Sequence, residues 1–260
     1  MTTLATHSAY LTLRSVRQLV RNPAFVVVTL VQPVIWLFLF GALFQKVIEI
    51  PGFAEPGTSY LEFLTPGVVM MTALFSSAWA GTVYIEDMDR GVMDRLLASP
   101  VRRGAMMNGT LAYQSITTVV QTSIIMALSY AAGARFAGGL VGVLLTYAGA
   151  ILLTLVFAAL SNAVALLVRQ QEALIGISQL LSLPLSFLGS AIMVTSLAPQ
   201  WIQTAAKYNP MDWAVVVSRE ALSASPDWAS VWPRLGALTA LAVFMGWLAT
   251  RAFAAYQRSS

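Results

Sequence analysis

The sequence predicts an all-α integral membrane protein with six transmembrane helices. Hydrophobic residues make up 58% of the 260 residues, charged residues only 10%, and the mean hydropathy is +0.74. Soluble domains carry about 25% charged residues. Long stretches without Asp, Glu, Lys or Arg alternate with short polar segments, and each stretch can hold the ~20 apolar residues that cross a bilayer. Both observations indicate a helical chain that crosses a membrane several times.

Six apolar stretches define the predicted spans. The last one is interrupted by Arg234 and Arg251, which lie near enough to its ends for their side chains to reach the membrane surface. The predicted spans are residues 25–44, 61–84, 106–131, 140–167, 174–194 and 232–253, within a single transmembrane domain of residues 1–260.

The basic residues divide unequally between the two faces of the predicted membrane domain. Six spans put both termini on one face, and cytoplasmic loops are enriched in Lys and Arg. We therefore expect the more basic face, with both termini, to be cytoplasmic. That face would carry Arg14, Arg17, Arg21, Arg90, Arg95, Arg102, Arg103, Arg169, Arg251 and Arg258, against Lys46, Arg135, Lys207, Arg219 and Arg234 on the other.

Residues 1–23 precede the first span and have the pattern of an amphipathic helix. Arg14, Arg17 and Arg21 lie beside an apolar row. Such a pattern is typical of a helix that lies at the membrane interface, where basic side chains reach lipid phosphate or a partner. We expect an interfacial helix that turns into the first span near Pro23.

Residues 86–104 form the most charged segment and lie between the second and third predicted spans. Read as one helix, the segment places Met88, Val92 and Leu96 on a common face. Pro100 is predicted to end this helix. Because such a helix cannot lie in hydrocarbon, we expect it at the membrane surface, within reach of a soluble partner.

The segment between the fifth and sixth spans, residues 196–231, is too long for a simple turn. Pro199, the pair Asn209-Pro210 and Pro226 divide it. We expect two short helices, near residues 201–206 and 213–224. Their tryptophans and tyrosine suit the headgroup level. These helices would dip into the external leaflet as re-entrant helices.

Polar residues recur on single faces of the second, third and fifth spans. One interpretation is helix packing through small residues, with hydrogen bonds of under ~1 kcal/mol each. The other is a weakly polar path for an amphiphilic substrate. The residues of the predicted path are Thr72, Ser76, Gln114, Thr118, Gln121, Ser182 and Ser186.

Several kinds of chemistry are disfavoured. The chain has no cysteine and a single histidine, and it lacks the glycine-rich loop with Lys and Ser or Thr that cradles nucleotide phosphates. Asp87, Asp89 and Asp94 could hold a magnesium-diphosphate group, as in intramembrane enzymes that act on lipid diphosphates. Such enzymes need a second acidic cluster, which the sequence lacks, so a salt-bridged surface helix is favoured. The basic residues at span ends give no indication of nucleic-acid binding.

The segment from Glu86 to Arg103 resembles the permease subunits of type-2 ABC exporters, in the branch typified by bacterial daunorubicin-type drug-resistance permeases. That branch has an acidic start, a glycine, and then Arg-Leu-x-x-x-Pro-Val-x-Arg. Here Gly91 is the glycine and Arg95 to Arg103 carries the second part. The family also tends to have Asn-Pro, an apolar run and an arginine before the last span, which here are Asn209-Pro210 and Arg219.

The resemblance implies roles for the two amphipathic segments and for the re-entrant helices. Arg14, Arg17 and Arg21 would lie on a connecting helix that transmits movement of the ATPase. Asn209, Pro210, Trp213 and Arg219 would belong to an external gate. The coupling helix that docks on the ATPase would include Glu86, Asp87, Arg90, Asp94, Arg95, Leu96, Pro100, Arg102 and Arg103.

The resemblance also implies partners and a function. Two ABC ATPase subunits would bind ATP and Mg, and a second permease, identical or homologous, would complete the path in the bilayer. The chain itself would hold no cofactor and be no enzyme. We expect export of an amphipathic drug or lipid across a bacterial cytoplasmic membrane. The alternatives are export of a polysaccharide or glycolipid, an intramembrane lipid-diphosphate enzyme, and a non-catalytic assembly or anchoring protein.

Overall fold

The computed structural model describes residues 2–21, 23–50, 58–93, 95 and 103–259, and all regular structure within these ranges is helical. A π-helical turn (Trp36–Phe40) joins α2 to α3, and 3-10 turns cover Gln45–Glu49 and Thr195–Leu197. The α-helices are α1 (Thr2–Arg21), α2 (Pro23–Ile35), α3 (Gly41–Leu43), α4 (Tyr60–Ala78), α5 (Thr82–Asp89), α6 (Arg103–Ala131), α7 (Gly139–Val168), α8 (Gln171–Phe187), α9 (Gln200–Lys207), α10 (Pro210–Leu222) and α11 (Trp228–Ser259).

Four helical stretches of the described chain are long and apolar enough to cross a membrane. They are Tyr60–Asp89, Gly104–Ala131, Gly139–Val168 and Trp228–Phe253, and they correspond to the second, third, fourth and sixth predicted spans. The first predicted span contains the shorter apolar stretch Val27–Leu43, and the fifth contains the 17-residue α8. The chain is thus an all-helical, multi-pass membrane protein.

Helix α7 is the centre of the bundle and packs against α4, α6, α10 and α11. Glycines allow its first turn to approach α10 closely. A Cβ atom on Gly138 or Gly142 would lie 1.9 or 2.2 Å from the carbonyl oxygen of Ala221. Small residues at such crossings let helix backbones pack closely. Inside a membrane this close packing drives helix association, because the hydrophobic effect does not.

Two apolar clusters fill the bundle, a larger one that extends along α4 from Tyr60 to Leu74 and a smaller one at the α5 end. The larger contains Tyr60 and Phe63 from the start of α4, together with Met211 of α10. The smaller joins α5, the start of α6, the end of α7, the start of α8 and the end of α11, with Tyr84 and Leu174 among its members. The residues of the predicted coupling segment and those of the predicted external gate are therefore at opposite ends.

The second predicted span is not one continuous helix, because it breaks between α4 and α5. The break exposes the carbonyl group of Ala78, which accepts hydrogen bonds from the hydroxyls of Ser161 and Ser178, each 2.7 Å long. The Ser161 hydroxyl in turn accepts the N–H of Gly81 at 3.0 Å. Buried backbone groups need such partners. Serines of α7 and α8 thus replace the hydrogen bonds that the helix loses.

The predicted coupling helix also differs from expectation. Helix α5 ends at Asp89, and Gly91 has a positive φ of 65°, a conformation that glycine adopts without steric cost. Met88 and Val92 therefore do not share one helix. The predicted apolar row of Met88, Val92 and Leu96 would require one continuous helix. Leu96 itself lies outside the described residues.

The fifth predicted span ends earlier than expected. Helix α8 stops at Phe187, and residues 188–193 form a series of bends instead of continuing the helix to Val194. Polar side chains from α10 satisfy the freed backbone groups, and they are described below with the site. The two short helices expected before the last span are present as α9 and α10.

Candidate functional site

A cavity of about 340 Å³ lies between α2, α4, α6 and α8. Its walls combine three aromatic rings (Trp36, Phe75, Trp79) with neutral polar side chains, and none of its lining residues is charged. The polar lining residues are Thr29, Gln32, Thr72, Ser76, Gln121 and Gln179. Ligand pockets in proteins are typically of this kind, mainly apolar with a few placed polar groups.

Gln121 contributes an unsatisfied hydrogen-bond acceptor to this cavity. The residue is 2% exposed, and its Nε2 donates to Thr29 Oγ1 at 3.4 Å. Its Oε1 is buried and has no partner among the described residues. A buried carbonyl without a donor costs free energy, about 1–3 kcal/mol in typical cases. A ligand with an O–H or N–H group would supply the missing donor.

The structure brings together only part of the predicted substrate path. Thr72, Ser76 and Gln121 line the cavity, and Gln114 lies behind it, where its Nε2 donates to Ser76 Oγ at 2.7 Å. Thr118 instead pairs with Thr154 of α7 at 2.8 Å.

The two path residues predicted on α8 do not line the cavity. Ser182 lines a separate void of about 20 Å³ beside Ser161 and Ser178, and Ser186 donates to the Leu183 carbonyl at 2.8 Å. From α8 the cavity receives Gln179 and Leu183 instead. Gln179 was missed from the sequence because the regular serine row on α8 drew the assignment to another face.

The coupling segment and the N-terminal helix meet through an ion pair. Arg14 on α1 lies 3.6 Å from the Asp87 carboxylate on α5. Arg90 and Glu86 form a second pair one turn apart, also at 3.6 Å. The pairing of Asp87 with Arg14 joins the two segments that the sequence treated separately, and its basis is tertiary contact, which spacing does not reveal.

A buried polar cluster also fixes α5 to the bundle. Tyr84 shares a hydrogen bond of 3.1 Å with Thr110 of α6, and Asn162 of α7 donates to the same Thr110 oxygen at 3.2 Å. Helix α1 packs along α6, where Thr12 donates to the Gly109 carbonyl at 3.3 Å. Helices α1, α5, α6 and α7 are thereby linked at one end of the molecule.

The structure describes the other residues of the predicted coupling and connecting helices only in part. Arg17 and Arg95 are exposed. Asp94, Leu96, Pro100 and Arg102 lie outside the described residues, and the side chains of Arg21 and Arg103 also lie outside the description.

At the other end of the molecule, α10 holds the bends that follow α8. Asn209, 3% exposed, caps α10 by accepting the N–H of Met211 at 2.9 Å. Its amide also donates to the carbonyls of Leu185 at 2.7 Å and Leu188 at 3.0 Å. One side chain therefore satisfies both the end of α8 and the start of α10.

Two further residues of α10 hold Ser190, in the middle of the bends. Asp212 accepts the Ser190 N–H at 2.6 Å, and Arg219 donates to the Ser190 carbonyl at 2.6 Å. Arg219 also donates to the Phe63 carbonyl at 3.3 Å and lies 3.8 Å above the Phe63 ring. Asp212 was missed from the sequence, since a lone acid in an apolar run has no spacing signal.

The remaining predicted gate residues, Pro210 and Trp213, lie at the start of α10. Pro210 occupies the first turn of α10, where its missing N–H costs nothing. Trp213 donates its indole N–H to the Lys207 carbonyl at 2.8 Å, at the end of α9. The four predicted gate residues thus lie at or along α10, where Asn209 and Arg219 hold the end of α8 and the bends after it, and Trp213 contacts the end of α9.

Comparison with known proteins identifies a family that matches most of this chain. The family described as ABC-2 type transporter matches residues 7–223. A daunorubicin resistance ABC transporter permease protein of Streptomyces coeruleorubidus is 28% identical over 204 residues, covering 77% of this chain and 69% of that protein.

Two other relatives are similar over comparable lengths. A putative transport permease of Cyanophora paradoxa is 28% identical over 200 residues, covering 76% of this chain and 68% of its own. A probable doxorubicin resistance ABC transporter permease protein of Mycobacterium tuberculosis is 22% identical over 192 residues, covering 74% and 69%.

Proposed function

The chain belongs to the ABC-2 type transporter family, and we propose that it is the membrane-spanning permease subunit of an ATP-driven exporter of amphipathic drugs or lipids. The observation that carries the proposal is the uncharged cavity between α2, α4, α6 and α8. Its aromatic rings and neutral amides suit a largely apolar molecule with a few hydrogen-bonding groups.

The lining chemistry supports an amphiphile over a phosphate-rich cargo. A phosphate or carboxylate group in this cavity would be desolvated without a cation beside it, because the lining contains neither Lys nor Arg. A ligand hydroxyl or amine would instead satisfy the Oε1 atom of Gln121. The names of two relatives, which refer to daunorubicin and doxorubicin resistance, agree with such a cargo.

In the proposed assembly, two ABC ATPase subunits bind ATP and Mg and contact the α1–α5 end of this chain from the cytoplasm. A second permease, identical or homologous, completes the path. All six predicted spans cross the bacterial cytoplasmic membrane, with both termini in the cytoplasm. The Arg14–Asp87 pair supports a coupled response of α1 and α5, because a force applied to either helix is passed to the other.

The test is substrate-stimulated ATP hydrolysis by the complex purified with its ATPase subunits. We expect no ATPase activity from this chain alone, and stimulation of the complex by an amphipathic drug. Gln121→Leu should weaken the stimulation, since it removes the free acceptor, whereas Thr239→Val on exposed α11 should not. Stimulation by a polysaccharide but by no amphiphile would contradict the proposed cargo.

A further inference from the structure

A second cleft, of about 580 Å³, lies at the end of the molecule opposite α5. We call it the Arg219 cleft. The start of α4, the α6–α7 loop, residues 190–195 and the second half of α10 form its walls. Unlike the cavity described above, it is lined by charged side chains: Glu62, Arg135, Arg219 and Glu220.

Two buried hydrogen-bond donors in this cleft have no partner. The Nε atom of Arg219 and the hydroxyl of Ser190 are both buried and unsatisfied among the described residues. Ser190 is 4% exposed. The two residues are adjacent, because Arg219 donates through Nη2 to the Ser190 carbonyl at 2.6 Å. Unsatisfied buried polar groups are rare in folded proteins and need an explanation.

Arg219 also has no carboxylate in ion-pair contact among the described residues, although Asp212 and Glu220 lie near enough to stabilise its charge. Among the described residues, the carboxylates in ion-pair contact belong to Asp87 and Glu86, and neither contacts Arg219. Its Nη2 atom donates to neutral carbonyl groups. Asp212 lies nearby, but its Oδ1 accepts the N–H of Ser190. A buried cation that has no directly hydrogen-bonded anion regains only part of its desolvation cost.

The carboxylates that line the cleft already have other donors. The two oxygens of Glu62 accept the backbone N–H groups of Ser59 at 2.9 Å and Arg135 at 2.7 Å. Glu220 accepts the N–H of Asp227 at 3.2 Å. Neither glutamate is in ion-pair contact with the Arg219 guanidinium, which leaves its Nε donor for an outside anion.

We propose that the Arg219 cleft binds the oxyanion of an amphiphile, a phosphate or carboxylate that accepts hydrogen bonds from Arg219 Nε and Ser190 Oγ. A guanidinium group and a hydroxyl are suitable donors for such an anion. Apolar side chains complete the walls and suit the hydrophobic part of the ligand: Phe63, Pro66, Phe136, Val194, Val216 and Leu222. The site requires no ATPase partner and therefore goes beyond the proposed transport function.

The test is equilibrium binding to the full-length chain, purified in a neutral detergent and measured by native mass spectrometry. Three probes separate the sources of the anion: phosphatidylglycerol, a diacylglycerol with the same acyl chains, and inorganic phosphate. We expect phosphatidylglycerol to bind roughly tenfold or more tightly than diacylglycerol, the size of a charge-assisted hydrogen bond. Displacement of the lipid by millimolar phosphate would identify a site that also takes the free anion.

Three variants in the cleft and one control outside it connect this binding to the cleft. Ser190→Ala should lower phosphatidylglycerol affinity severalfold without lowering thermal stability, because the hydroxyl has no partner in the protein. Glu220→Gln should raise the affinity, since it removes a nearby negative charge. Arg219→Gln should abolish the preference for phosphatidylglycerol over diacylglycerol. Arg234 lies outside the cleft, so the control Arg234→Gln should leave this preference unchanged.

Arg219→Gln also removes two hydrogen bonds to backbone carbonyls, so this variant could lose binding by misfolding. Ser190→Ala and Glu220→Gln avoid this ambiguity. The proposal predicts that the first lowers and the second raises the affinity of the folded protein for phosphatidylglycerol. Equal binding of phosphatidylglycerol and diacylglycerol to the wild type would overturn the proposal. Unchanged affinities in both Ser190→Ala and Glu220→Gln would also overturn it.

Discussion

Asn209 combines three hydrogen bonds in one buried side chain. It caps α10 through the Met211 N–H and holds the carbonyls of Leu185, in the last turn of α8, and of Leu188, just after it. An N-cap and a buried side-chain hydrogen bond each contribute about 1 kcal/mol in typical proteins. The α8–α10 connection therefore depends strongly on this one residue.

We predict that Asn209→Ala lowers the free energy of unfolding by about 2–3 kcal/mol, because two carbonyls and one N–H lose their partner. Thermal unfolding of the detergent-purified chain would measure the change. Thr204→Ala is the control, since its exposed hydroxyl only returns to the Gln200 carbonyl of its own helix. A midpoint equal to that of wild type for Asn209→Ala would contradict the role described for this residue.

Gly67 permits the closest approach between α4 and the bends after α8. A Cβ atom at this position would lie 1.9 Å from the carbonyl oxygen of Ala191. We predict that Gly67→Ala destabilises the chain by at least about 2 kcal/mol, since backbone must move. Gly176→Ala provides a matched comparison within α8, because a Cβ there meets no atom within 4 Å, and it should be neutral or stabilising by up to ~1 kcal/mol.

At the scale of an element, α5 is a short helix bounded by two interruptions. The break after Ala78 separates it from α4, and the positive φ of Gly91 follows its end. Tyr84 fixes one face to α6, while Asp87 pairs with Arg14 of α1. If α5 is the coupling element of the proposed exporter, these contacts would pass its movement to α1 and α6.

We predict that charge reversal at either end of the Arg14–Asp87 pair uncouples ATP hydrolysis from transport. In the reconstituted complex, Asp87→Arg should lower the transport rate several-fold, roughly the effect of replacing an attractive pair with a repulsive one at ~1 kcal/mol. Addition of Arg14→Asp should restore most of the rate. Thermal stability should change little, because Arg14 is half exposed.

The matched control combines Asp87→Arg with Arg17→Asp. This double variant has the same net charge as the variant that combines Asp87→Arg with Arg14→Asp. It leaves Arg14 facing an arginine at position 87, so its transport rate should not recover. Equal recovery with Arg17→Asp would show that net charge, and not the pair, determines the transport rate.

The whole molecule offers a direct test of topology, because the natural sequence has no cysteine. Single cysteines can therefore be introduced without prior removal of native ones. Arg90 and Tyr208 are both exposed and lie near opposite ends of the bundle. In intact cells, a membrane-impermeant thiol reagent should label Tyr208→Cys and leave Arg90→Cys unlabelled until the membrane is opened. The reverse pattern would invert the proposed orientation.

The amino-acid sequence determined the class of this protein and the approximate position of its helices. Length and composition of each apolar stretch decide whether it can cross a bilayer, and both are local properties. The amphipathic pattern before Asn22 likewise predicted α1, and Asn209-Pro210 marked the division before the helix expected at residues 213–224, which begins at Pro210 in the structure. The family resemblance at residues 86–103 and at Asn209-Pro210 was also contained in local sequence, and the match over residues 7–223 confirms it.

Only the tertiary structure decided where helices break and which polar residues share a cavity. Helix α4 can end at Ala78 because Ser161 and Ser178 come from distant parts of the chain to satisfy the Ala78 carbonyl. Likewise, Gln121 reaches the cavity while Thr118, less than one turn before it, pairs with α7. Neighbouring helices supply the partners of these polar groups. How the helices are rotated against one another is set by packing, and the periodicity of a single stretch carries no information about that rotation.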